Sequence, residues 1–149
     1  MQRLPMAAAL AALMLAGVST TAVQAADSFR ETKFKLIART NKAINDELKK
    51  PAPDMKAIAA NAVKLDRMAA ELPGWFPKGS GPKLGVKTHA LPAIWEQPAK
   101  FAAAAAGLRA ATTAMKTASA AGDLAAVQAA VPKIGASCKA CHADFKEQD

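Results

Sequence analysis

From residue 28 to residue 50 the larger apolar side chains return every three or four positions. Phe34, Ile37, Ile44 and Leu48, with Asn41 among them, trace one helical face, and charged residues fill the remainder. Pro51 and Pro53 end that helix, because proline lacks an N–H and clashes with the preceding turn. Asp54 is suited to cap a second helix whose inner face is Met55, Ile58, Ala62, Leu65 and Ala69. The periodicity then disappears. Between Pro73 and Leu91 stand Gly74, Gly79, Gly81 and Gly85 with Pro73, Pro77 and Pro82, which predict a long irregular crossover. Trp75 and Phe76 within it predict that part of the crossover packs on an apolar surface. A third helix is predicted from about Pro92 to Ala121, carrying Trp95, Phe101, Leu108 and Met115. Gly122-Asp123 reads as a C-cap followed by an N-cap, and a fourth helix runs to about Lys146, disturbed at Pro132 and Gly135. No stretch alternates as a strand would. The pattern predicts an all-α, antiparallel four-helix bundle with one long irregular crossover between helices two and three.

The first 25 residues read differently. Arg3, the apolar run Met6 to Val18 and the small-residue site Val23-Gln24-Ala25 have the layout of a signal peptide, so residues 26–149 are expected to form the exported domain in the periplasm. No later stretch approaches the ~18 apolar residues of a membrane span, so no membrane insertion is expected after cleavage. The formal charge is +8, but the lysines are scattered and not interleaved with stacking aromatics, which argues against nucleic acid. The excess is suited to steering an acidic redox partner, and equally to a solvated face.

Two cysteines and two histidines are present. Cys138-Lys139-Ala140-Cys141-His142 is the attachment pattern of c-type haem. On a helix, positions three and four apart share a face, so both thiols can reach one porphyrin edge while His142 turns its imidazole to the iron. A disulfide across so short a loop would add little stability. A thioredoxin-like site wants a preceding strand, and a structural zinc site wants four ligands. The pattern thus points to one covalently bound haem c, with Cys138 and Cys141 as thioether positions and His142 as axial ligand.

The export signal, the four-helix pattern and the terminal motif Gly135-Ala136-Ser137-Cys138-Lys139-Ala140-Cys141-His142, preceded by Ala121-Gly122-Asp123, resemble the cytochrome c′ family. Arg30 with Phe34, Leu72-Pro73 before Trp75, and Thr88 with Pro92 and Ile94-Trp95 extend the resemblance over the exported chain. It implies five-coordinate, high-spin haem iron held by His142, with Arg30 near the propionates, Glu31 beside it and Phe34 over the open iron face. Thr88 falls at a family position near the propionates and equally suits a helix cap. Phe34 stands where leucine or methionine is more usual, and Lys146 where arginine is more usual. The resemblance also implies electron transfer or binding of nitric oxide or carbon monoxide, no enzyme activity, and a homodimer through the first two helices. Two alternatives stay open here: a six-coordinate electron-transfer bundle, disfavoured because helix one has no methionine or histidine, and a thiol–disulfide oxidoreductase.

Overall fold

The computed structural model describes residues 17–84 and 87–148, with side chains from residue 21 onward. Arg3 and most of the amino-terminal apolar run lie outside the described residues, as does Gly85. Four long helices, α1 (Gly17–Leu48), α2 (Met55–Glu71), α4 (Pro98–Ala120) and α5 (Leu124–Phe145), form the bundle, with a short α3 (Ala93–Glu96) leading into α4. A single 3-10 turn, Leu72–Trp75, opens the crossover. Among the described residues there is no strand, only an isolated bridge between Ala90 and Lys146 that ties the crossover to the chain end.

Most helix limits follow the sequence signals. The Asp54 carboxylate accepts from the Lys56 and Ala57 N–H groups at 2.8 and 3.2 Å, and Ile58, Ala62, Leu65 and Ala69 are buried beneath α2. Gly122 adopts φ +71°, the left-handed conformation that ends α4, and Asp123 accepts from Ala126 N–H to start α5.

Three expectations are corrected. Helix one is already formed at Gly17, the first described residue, rather than starting at Ser28, because no proline stands between them to break it. Helix three is two pieces: Pro98 cannot donate to a preceding carbonyl and restrains Gln97 to φ −123°, ψ 57°, so a new helix starts at Pro98. Helix four is continuous through Pro132 and Gly135. Pro132 lies on the exposed side and Gln128, whose carbonyl loses its partner, is exposed to water. On the other side Val127, Ala130 and Ile134 are buried and hold the helix together.

The core is built from Ile44, Ile58, Leu65, Met115, Val127 and Ile134, all essentially inaccessible. Close packing runs from α1 to α2, α2 to α4 and α4 to α5. Packing between α1 and α5 is sparser, and there Phe34 on α1 meets His142 on α5.

Candidate haem-attachment site

The last turns of α5 carry Cys138, Cys141 and His142. Both cysteines are free thiols, half-buried against the core. His142 keeps part of its surface open and faces α1, where the Phe34 ring centroid lies 6.4 Å from the imidazole. At 69° between planes this is an edge-on ring contact, with the imidazole standing directly against Phe34.

Phe34 is held by other rings. Trp75 meets it edge-on at 5.5 Å and Phe76 at 6.4 Å, and the series continues through Phe101 (5.1 Å from Phe76) to Phe145 (5.3 Å from Phe101). Edge-to-face contacts of this kind add roughly 0.5–1.5 kcal/mol each beyond burial. The crossover residues Trp75 and Phe76 thus pack on an apolar surface as expected, and that surface belongs to the site.

One turn before Phe34, Arg30 is buried, with 3% of its surface exposed. Its guanidinium donates to Ser80 Oγ at 3.1 Å, to the Ser80 carbonyl at 3.2 Å and to Asp27 Oδ1 at 3.2 Å. It lies over the rings of Phe76 and Trp95 at 5.2 and 5.9 Å. Its Nε–H is buried and has no partner. A buried cation with an unmet donor is what an anionic group would complete, since leaving that donor dry costs free energy.

The electrostatics of α5 fit a coordinating role. Burial pushes the Cys138 thiol up; it does the same at Cys141, where Cys138 and the Asp144 carboxylate add to the effect. Protonated thiols are poor nucleophiles, which weighs against thiol–disulfide chemistry. Burial, and secondarily the Lys146 charge, hold His142 below its ordinary range and favour the neutral imidazole that ligates metals.

Phe34 and His142 thus meet between α1 and α5, with Arg30 one turn before Phe34 and Cys138 and Cys141 on the last turns of α5. Glu31, next to Arg30 in the chain, lies apart from it. One helical residue turns the chain by about 100°, and its carboxylate is 63% exposed, paired with Lys35 at 2.6 Å. Thr88 caps no helix. Its hydroxyl donates to Asp27 at 2.5 Å and accepts from the Ala90 N–H at 3.2 Å, which ties it to the Arg30 cluster. Asp27 and Ser80 were not anticipated. The i,i+3 spacing of Asp27 and Arg30 was a signal in the sequence, whereas Ser80 lies 50 residues away and left none.

Comparison with known proteins agrees with this geometry. The family described as Cytochrome C′ matches residues 25–146. Cytochrome c′ of Rhodospirillum rubrum is 34% identical over 152 residues, covering 98% of this chain and 99% of that one. Cytochrome c′ of Rubrivivax gelatinosus is 35% identical over 80% of this chain and 92% of its own. The R. gelatinosus crystal structure superimposes with a TM-score of 0.75 at 33% identity, covering 84% and 97% of the two chains. A ferrous arginine-to-lysine variant of cytochrome c prime from Alcaligenes xylosoxidans, solved with NO bound, gives 0.74 at 30% identity over 83% and 94%. The match extends through sequence and fold over most of the length: the chain belongs to the cytochrome c′ family.

Proposed function

We propose that this protein is a periplasmic carrier in which Cys138 and Cys141 hold haem c by thioethers, His142 is the axial ligand, and the face under Phe34 is left open for a diatomic gas. The cytochrome c′ family carries covalently attached haem c, and the free half-buried thiols of Cys138 and Cys141, with the His142 imidazole beside them, are the groups that would hold it. When bound, the haem iron supplies a one-electron couple and a position for a small ligand.

The observation that carries this reading is the pairing of His142 with a phenyl ring. Phe34 has no lone pair to offer a metal, so a haem iron held by His142 would find no second ligand in that ring. Trp75 and Phe76 hold Phe34 in place and exclude water from its side. These carbon rings provide neither acid nor base, which supports a carrier rather than a catalyst. Arg30 is available to meet the acidic edge of the group. Nitric oxide is bound in the A. xylosoxidans structure, and we extend that ligand class to this chain. The family match begins at residue 25, beside the expected cleavage site, and among the described residues no helix is long and apolar enough to cross a membrane. Exposed Phe29 and Leu36 on α1 and Val63 on α2 support a homodimer through those helices.

Visible spectroscopy of the exported protein tests the reading. The expected result is a high-spin ferric spectrum, pigment that acid and organic solvent do not extract, and slow carbon monoxide binding that accelerates in Phe34→Ala. Because Phe34 is half-buried, that substitution should cost about 2 kcal/mol, below the ~3–5 of a fully buried ring. A low-spin methionine-ligated spectrum, or carbon monoxide kinetics unchanged in Phe34→Ala, would overturn the open-face assignment.

A further inference from the structure

Helix α1 and two stretches of the crossover meet around one ion pair, Asp27 with Arg30. Asp27, in α1, accepts through a single oxygen from Arg30 Nη2 at 3.2 Å and from Thr88 Oγ1 at 2.5 Å. The opposite side of the guanidinium is held by Ser80, whose hydroxyl in turn donates to the Pro77 carbonyl at 2.8 Å. Trp95, which covers the guanidinium with Phe76, anchors to the same Pro77 carbonyl through its indole N–H at 3.1 Å. Each terminal nitrogen of Arg30 thus has a partner and Phe76 and Trp95 lie against its plane, whereas the buried Nε has none. A donor left over in a fixed orientation is preset for an incoming acceptor, and presetting removes the ordering cost of binding.

We propose that Asp27 is the positioning residue for Arg30: it orients the guanidinium toward the carboxylate edge of the haem and places a fixed negative charge beside it. The proposal rests on the haem assignment above. Two consequences separate it from a simple anchor of the helix end. First, the Asp27 charge favours the ferric state, which carries one more positive charge than the ferrous state. Second, the Thr88 hydroxyl contributes to holding Asp27 but carries no charge, so its loss loosens the cluster without the electrostatic effect.

The test compares Asp27→Asn, Thr88→Val and wild type as exported holoprotein, by spectroelectrochemical titration and by denaturant unfolding. Intact mass first establishes covalent haem in the wild type; a wild type without it defeats the haem assignment and not the role of Asp27. Asp27→Asn is expected to raise the midpoint potential, so that at the wild-type midpoint the ratio of reduced to oxidised protein rises from one to roughly three. Thr88→Val is expected to lose comparable stability with its potential close to wild type, and Asp27→Glu to bring the potential back toward wild type. Should Asp27→Asn not accumulate, Asp27→Ser is read in the same way. A destabilised Asp27→Asn whose potential equals that of wild type would overturn the proposal, leaving Asp27 a structural tie alone.

Discussion

Two charged side chains are buried to the same degree, 3% exposed, and have opposite fates. Asp66, on α2, is closed on all sides by α4: Thr113 donates at 2.8 Å, Thr112 at 3.3 Å, and Arg109 and Lys116 form ion pairs at 2.7 and 2.5 Å. Burial alone would raise its carboxyl, but the hydrogen bonds from Lys116 and Thr113 and the charges of Arg109 and Lys116 outweigh that and hold it below the ordinary carboxylate range. Arg30, on α1, is held by Ser80 and Asp27 and keeps a dry, unpartnered Nε–H. A buried charge whose partners are complete locks two helices and has nothing left to recognise. One whose partners are incomplete marks where a ligand belongs.

Asp66→Ala should give the largest effect. Removing it leaves Arg109 and Lys116 facing each other across an emptied seam, though both reach solvent, and the loss should be about 3 kcal/mol in denaturant unfolding. The visible spectrum should not change; a changed spectrum would break the distinction between scaffold and site. The same residue sets a pH dependence. Its folded pKa is depressed, so the unfolded chain takes up the proton first as pH falls. The stabilisation from Asp66 is complete above about pH 4–5 and is lost as pH falls through the lower folded value. Asp66→Asn should flatten that acid limb of the unfolding midpoint against pH.

Arg30→Met should cost less, about 2 kcal/mol, because Asp27 remains hydrogen-bonded to Thr88. Unlike Asp66→Ala it should act on the site, lowering the midpoint potential as a cation near the iron is lost. The smallest effect is expected for Lys33, which also ties α1 to α2 by pairing with Glu71 at 3.4 Å, and which lies over the Phe29 and Trp75 rings. Both partners reach water, so Lys33→Ala should change stability by only about 0.5 kcal/mol and leave potential and spectrum alone. A loss as large as that of Asp66→Ala would show that contact between helices, rather than burial and completed partners, governs the difference.

The helices, their caps and the attachment segment were legible before folding because each rests on neighbours in sequence. Asp54 and Asp123 cap amides two or three residues away, Gly122 needs only its own φ, and Cys138, Cys141 and His142 share a face by helical spacing. Tertiary packing decided the rest. Whether α5 breaks at Pro132 depended on which side of the helix that proline occupies, and burial of Val127, Ala130 and Ile134 on the other side kept it whole. Glu31 and Arg30 are adjacent in the chain, yet one pairs with Lys35 in water and the other lies buried beneath the crossover. The Arg30 cluster joins residues 50 and 61 positions apart, and no local preference of Asp27, Ser80 or Thr88 encodes that meeting. Sequence alone determined the elements and the covalent chemistry, because backbone propensity and side-chain spacing are local. Which charge would be completed and which left open was decided only when distant segments closed over them and excluded water.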